Sequence, residues 1–194
     1  KTNLPISNLE AYYNRLLLID KYGSTIKSEF LVTATEFNDM ISANPNADYM
    51  HVFLINDVIN ATNELGIVFR FSNIQKFDAN NYNLATNEKA YYLQNGICST
   101  FNAASKSFDT IKQELVANVG QTISNIPDAN LTHYVTFDME KIREFGLFEH
   151  DVIYELICLK VKNQFRLSFQ VFIINKNRNP SSLSMGGYYD FGQL

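Results

Sequence analysis

The stretch VIYELICLKVKNQFRLSFQVFII, residues 152–174, decides the fold. Apolar and polar positions alternate on both sides of a short Lys-Asn-Gln interruption, which is the pattern of two antiparallel strands joined by a tight turn. With Asn163 and Gln164 as the turn, Leu156 faces Val171, Cys158 faces Phe169 and Lys160 faces Leu167. One face is then apolar through its middle. The other mixes Glu155, Arg166, Ser168 and Gln170 with Ile157, Leu159 and Phe172, so it is half wet or meets something polar. Glu155 and Arg166 are expected to form a structural salt bridge on that face.

Working outward, the same order of elements recurs in the front half at a shift of 102, the difference between Met50 and Val152. Leu54 then meets Leu156, Ile67 meets Phe169 and Phe69 meets Val171. Ahead of the front hairpin, Ser7 and Glu10 form a capping box, and Leu9, Tyr12, Tyr13, Leu16 and Leu17 mark one face of a helix ending near Gly23. A strand from Ile26 to Val32 follows, then a short capped helix carrying Phe37, Met40 and Ile41. The strands Tyr49–Asn56 and Gly66–Ser72 flank a polar stretch, Asp57–Glu64, read as a long hairpin loop or one helical turn. In the rear half, Asp109 caps a helix through Ile111, Leu115 and Val119, closed by Pro127. Leu131–Phe137 is a strand, and Asp138 caps a short helix ending at Gly146. The pattern predicts an α+β protein of two similar helix-strand-helix-hairpin modules with mainly antiparallel sheet. The expected division is 1–85 for the first module, 86–103 for a linker with a helix from about Asn87 to Asn95, 104–180 for the second module, and 181–194 for an aromatic and Gly-rich tail, the whole able to form one domain.

The stretch from Phe37 to Phe71, with Met40, Pro45, His51 to Ile55 and Gly66-Ile67-Val68-Phe69, resembles a family of short uncharacterised bacterial proteins. The tail Tyr188-Tyr189-Asp190-Phe191-Gly192 is similar to endings found there, without the Cys-Pro-rich finish of such tails. The family has no assigned activity, so the resemblance lends no catalytic residues and favours an accessory protein over an enzyme.

Composition bounds the partners. The chain has 194 residues, a formal net charge of −4 and 46% hydrophobic residues, enough apolar surface for a folded core and no basic excess to attract nucleic acid or anionic lipid. No apolar run reaches the roughly 20 residues that span a bilayer, so membrane insertion is not expected. Two cysteines, Cys98 and Cys158, read as reduced thiols rather than a disulfide framework, with a single Cys98–Cys158 bridge as the alternative if the protein is exported. The chain begins at Lys1 rather than Met; a cytoplasmic location is favoured, and export follows if a signal peptide preceded it.

No motif for catalysis, cofactor binding or metal ligation stands out. His51, His133 and His150 have no fixed spacing to a nucleophile or a second ligand. The alternative to a binding protein is a small hydrolase or transferase using Cys98 or a histidine, for which Cys98, His133 and Asp138 supply a thiol, a base and an orienting carboxylate. The main expectation is a non-enzymatic binding or interaction protein with an internal repeat. Tyr188, Tyr189 and Phe191 are its expected interaction surface, and a protein partner, a second copy or a small ligand between the modules its partner.

Overall fold

Two long hairpins of matching size organise the chain. In the computed structural model, which describes residues 4–124, 129–144, 146–174 and 188–190, the elements are β1 (Leu4–Ile6), α1 (Asn8–Tyr22), β2 (Glu29–Val32), α2 (Ala34–Ser42), β3 (Tyr49–Ile59), β4 (Thr62–Ser72), β5 (Lys89–Gln94), β6 (Ile97–Thr100), α3 (Phe108–Ala117), α4 (Val119–Ser124), β7 (Ala129–Asn130), β8 (Tyr134–Asp138), α5 (Met139–Glu144), a 3-10 turn (Leu147–Glu149), β9 (Asp151–Val161), β10 (Gln164–Ile174) and β11 (Tyr188–Asp190). The class is α+β with mainly antiparallel sheet.

Each hairpin turns on two residues in the left-handed region: Asn60 and Ala61 (φ 50° and 63°), and Lys162 and Asn163 (φ 48° and 63°). A two-residue turn of that kind matches the right-handed twist of the strands it joins. The rear turn therefore lies one residue earlier than Asn163-Gln164, and the pairs become Leu156 with Phe169 and Cys158 with Leu167. That correction moves the register by two residues, an even number, so every side chain keeps its expected face. In the front hairpin the strands run on to Ile59 and Thr62, through the polar stretch expected to be a loop. Alternation does not require apolar residues where both faces end in solvent.

The hairpins head two sheets, ordered β1-β11-β10-β9-β2 (with β7 parallel to β10) and β6-β5-β4-β3-β8. Each takes an edge strand from the opposite half of the chain: β2 pairs with β9, and β8 pairs with β3. The helices follow the same exchange, α1 packing on β9 and α3 on β3.

The main core fills the space between the sheets. Tyr154 from β9 is its centre, with edge-on contacts to Phe37, Phe69, Phe137 and Phe169 at 5.4–6.3 Å between ring centroids. Val52, Leu54, Ile67, Leu156 and Val171 complete it. A second apolar cluster lies on the far side of the β3–β4 sheet, where Phe53, Val68 and Ala90 meet Phe77, Tyr82, Phe108 and Ile111.

The segment expected to be a linker helix is instead the β5–β6 hairpin, turning on Asn95 and Gly96 (φ 52° and 78°). A helix would bury only one of two adjacent tyrosines, whereas a strand sends them to opposite faces. Here Tyr91 packs against the inter-sheet core and Tyr92 against the outer cluster. Upstream of the rear modules' strands, Ser107 rather than Asp109 caps α3, its Oγ accepting from the Thr110 N–H. The proposed stop at Pro127 lies outside the described residues.

Candidate functional site

The expected tail surface is placed in part. Tyr188 and Tyr189 lie on β11, whose backbone is paired between β1 and β10, so this segment extends its own sheet. Phe191 lies outside the described residues.

The cysteine and histidine positions are not brought together. Cys98 sits on β6, at one edge of its sheet, and His133 directly precedes β8 at the other edge, where its carbonyl accepts from the Leu54 N–H. Four strand spacings separate those edges, about 19 Å at the usual inter-strand distance. Asp138 is used locally, accepting from the Glu140 N–H at the start of α5. Burial, then the carboxylate of Glu36, pushes the Cys98 thiol up to about 12, and burial holds Cys158 at about 11, so neither is a ready thiolate. Burial, then Lys112, lowers the pKa of His133. His150 lies in the bend before β9.

His51 has the most developed surroundings of the three histidines. Its Nε2 is 2.9 Å from Ser72 Oγ and its Nδ1 is 2.9 Å from Thr136 Oγ1, a hydroxyl–imidazole–hydroxyl row that sequence spacing did not reveal because β8, which supplies Thr136, is 85 residues away from His51 in the chain. Ser72 also lines a groove of about 510 Å³ with Asn44, Asn73 and Lys89. The row resembles a nucleophile with its base. Its electrostatics oppose that use: burial, then the charge of Arg70, lowers the imidazole to about 3, so it will not take a proton from a serine near neutral pH. The ring is fully buried, and both hydroxyls have carbonyl acceptors, Ile74 O for Ser72 and Gln75 O for Thr136. A neutral ring donates its one N–H to one hydroxyl, which passes its own proton to its carbonyl, while the other hydroxyl has a single proton to share between the ring nitrogen and its carbonyl; the row is a structural strap holding the chain after β4.

Arg70 straps the next segment. Its guanidinium is fully buried, 2.6 Å from Glu88 Oε2, and donates to the carbonyls of Tyr82 at 2.5 Å and Asn81 at 3.1 Å. It lies 3.9 Å from the Phe77 ring centre and 4.9 Å from that of Phe108. Its donors are spent within the fold.

A smaller pocket of about 290 Å³ opens where α3 meets β3, lined by Asp57, Tyr92, Phe101, Lys106, Ile111 and Glu114. The Tyr92 hydroxyl donates to Asp57 in a short hydrogen bond, and Lys106 Nζ pairs with Glu114 at 2.5 Å. Its charged groups are therefore already matched to one another. Among the described residues no group of three or more His, Cys, Asp or Glu side chains could hold a metal ion.

The outer face of the β9–β10 sheet is different. Glu155 and Gln170 are buried there beneath α1, together with Ser168. Gln170 Nε2 donates to Glu155 Oε2 at 2.8 Å and to the carbonyl of Ala11 at 3.2 Å. Arg15 Nη1 donates to Glu155 Oε1 at 3.3 Å, and Asn14 Nδ2 to Gln170 Oε1 at 3.4 Å. The salt-bridge partner of Glu155 is thus Arg15 of α1, not Arg166. Polar groups taken from water need partners, and the helix supplies them only by turning Asn14 and Arg15 inward.

That orientation sends the apolar stripe outward. Leu9, Tyr12, Tyr13, Leu16 and Ile19 are 61, 50, 59, 41 and 51% exposed, while Ala11 and Leu18 are buried. At 100° per residue the stripe is centred nearly opposite the buried face. The helix α3 shows the ordinary arrangement, with Phe108, Ile111 and Leu115 buried against its sheet. No family model, characterised protein or solved structure matches the chain. No helix among the described residues is long and apolar enough to cross a membrane.

Proposed function

We propose that this is a non-enzymatic interaction protein whose docking surface is the outward face of α1. The observation that carries it is the inverted helix: five large apolar side chains face solvent while Asn14 and Arg15 face the sheet. Contiguous exposed apolar patches are costly to solubility and mark places where another surface sits. Aromatic anchors bury much area for little side-chain entropy, and two of the five are tyrosines. The formal charge of −4 favours a protein partner over nucleic acid or anionic lipid.

The chain is also proposed to be an internal duplication in which each half lends a strand and a helix to the other half's hairpin. Support comes from hairpins of equal strand length whose turns, at Asn60-Ala61 and Lys162-Asn163, fall at the same offset of 102 (162 minus 60). The resemblance of residues 37–71 to uncharacterised bacterial proteins agrees with an accessory role.

Replacing Leu9, Tyr13 and Leu16 together by glutamine tests the docking surface. Thermal stability is expected to change little, and binding of an environment-sensitive hydrophobic dye to fall sharply. A large loss of stability would instead mean that these side chains belong to the core, and would remove the proposal.

A further inference from the structure

We infer that the occupant of the α1 face is a second copy of this chain, packed through an antiparallel, two-fold-related pairing of α1 with α1. It rests on the interaction role proposed above and adds the partner's identity.

Area comes first. From their exposures, the five stripe residues leave roughly 500 Å² of largely apolar surface per copy, so two copies would cover roughly 1,000 Å², the lower bound for a specific interface. Leu31, 43% exposed, is a further apolar side chain on the same side of the sheet as α1. It lies on β2, next to the β9 strand that α1 covers, and its neighbours Phe30 and Val32 point to the core, so it faces the helix side.

Self-complementarity comes second. A two-fold axis across the middle of the stripe lays Leu9 over Ile19 of the second copy and Tyr12 over Leu16, and brings the Tyr13 rings of the two copies side by side near the axis. In the reverse, parallel arrangement Leu9 would meet Leu9 and Ile19 would meet Ile19. The charges select between the two. Asp20, exposed at the C-terminal end of the stripe, would meet Asp20 in the parallel pairing. In the antiparallel pairing the Asp20–Lys21 pair, joined at 3.2 Å, comes over the first turn of the second copy's α1, where Glu10 meets the Lys21 ammonium and the positive end of the helix dipole meets Asp20. Helices packed this way interdigitate side chains spaced three and four apart, which the stripe at 9, 12, 13, 16 and 19 supplies.

The experiment is sedimentation analysis of the full chain from low micromolar to near-millimolar concentration, with Leu16→Glu, Tyr12→Lys and their equimolar mixture. Circular dichroism and the thermal midpoint verify that each variant folds. Wild type is expected to dimerise with a micromolar Kd. Each variant alone should weaken that by at least about tenfold. The mixture should regain the dimer, because one interface then sets the introduced glutamate against the introduced lysine. A wild-type chain that stays monomeric throughout would overturn the inference, as would a mixture no more associated than its components, or a monomer that binds phosphatidylcholine vesicles through this face. A soluble paramagnetic probe separates the two levels of failure. If it broadens the Tyr12 and Tyr13 ring signals of a persistent monomer, only the second copy is ruled out. Protection of those rings in the monomer means the chain covers its own stripe, and the docking surface falls as well.

Discussion

Glu155 and Gln170 stand opposite each other on β9 and β10, and the Gln170 amide donates to the Glu155 carboxylate at 2.8 Å beneath α1. This buried pair dictates the helix orientation above it. Gln170 also needs the Ala11 carbonyl and the Asn14 amide, and Glu155 needs Arg15, so the polar side of α1 is held down. The apolar side has only one direction left.

Cutting one member of the pair is expected to be costly. Gln170→Leu leaves the Asn14 amide without its acceptor and the Glu155 carboxylate with fewer donors, at a cost of about 2 kcal/mol. Replacing Glu155 and Gln170 together by leucine removes both polar groups, so the double variant should lose less than the sum of the single losses. Urea unfolding of the three variants and wild type gives the coupling energy. Strict additivity would show that the two side chains act independently.

Tyr154 marks a second imbalance. Its ring is completely buried between the sheets, and its hydroxyl has no hydrogen-bond partner. Burial drives its pKa far above the ordinary phenol value. Tyr154→Phe keeps the edge-on contacts to Phe37, Phe69, Phe137 and Phe169 and discards an unsatisfied donor. It should stabilise the protein by about 1 kcal/mol, read as a higher thermal midpoint. A lower midpoint would mean that the hydroxyl is satisfied in solution.

His51 makes stability depend on pH. In the folded chain the imidazole resists protonation down to about 3, against an ordinary 6.5, chiefly because it is buried and secondarily because Arg70 is near. Below 6.5 the unfolded chain takes up a proton that the folded chain refuses, so the His51 contribution is complete above that pH. It declines between 6.5 and about 3, by up to about 1.4 kcal/mol per pH unit. His51→Gln removes this dependence while lowering stability through lost contacts to Ser72 and Thr136. The stability gap between wild type and variant should therefore narrow as the pH falls from neutral toward 4.5. A gap independent of pH would place the imidazole in contact with water.

The features legible in the sequence are those set by local period. The rear hairpin, its apolar face and its mixed face follow from alternation at Leu156, Cys158, Glu155 and Gln170, and survive a two-residue error in register because the strand period is two. The caps at Ser7 and Thr33 follow from short-range hydrogen bonding. Partner choice was not legible. That β2 joins β9 and β8 joins β3 depends on contacts more than 80 residues apart, for example 124 between Phe30 and Tyr154 (154 minus 30) and 87 between Met50 and Phe137 (137 minus 50). The candidate site was missed for a related reason. Leu9, Tyr12, Tyr13 and Leu16 of the stripe on α1 were visible, with Leu17, which packs on the core, in place of the exposed Ile19, but the stripe's direction depends on Glu155 and Gln170 at the other end of the chain. A mixed sheet face that needs polar company was the available signal. The Tyr91-Tyr92 doublet beside Asn95-Gly96 likewise carried a hairpin signal, since Asn-Gly favours the two-residue turn found there.

The turns offer the sharpest test of local backbone strain, because two of them carry opposite residue choices at corresponding positions. At Asn60-Ala61 the second residue is an exposed alanine at φ 63°, a conformation in which its Cβ crowds the backbone. Asn95-Gly96 has glycine at φ 78°, and a Cβ placed there would meet nothing within 4 Å. Ala61→Gly should therefore raise stability by about 1 kcal/mol, and Gly96→Ala should lower it by a similar amount. Since neither change adds or removes a side-chain contact, the two effects should be equal in origin and opposite in sign. Thermal unfolding of the two variants and their combination checks this, with the double variant near wild type. Two shifts in the same direction would show that packing at the tips, rather than φ, controls these turns.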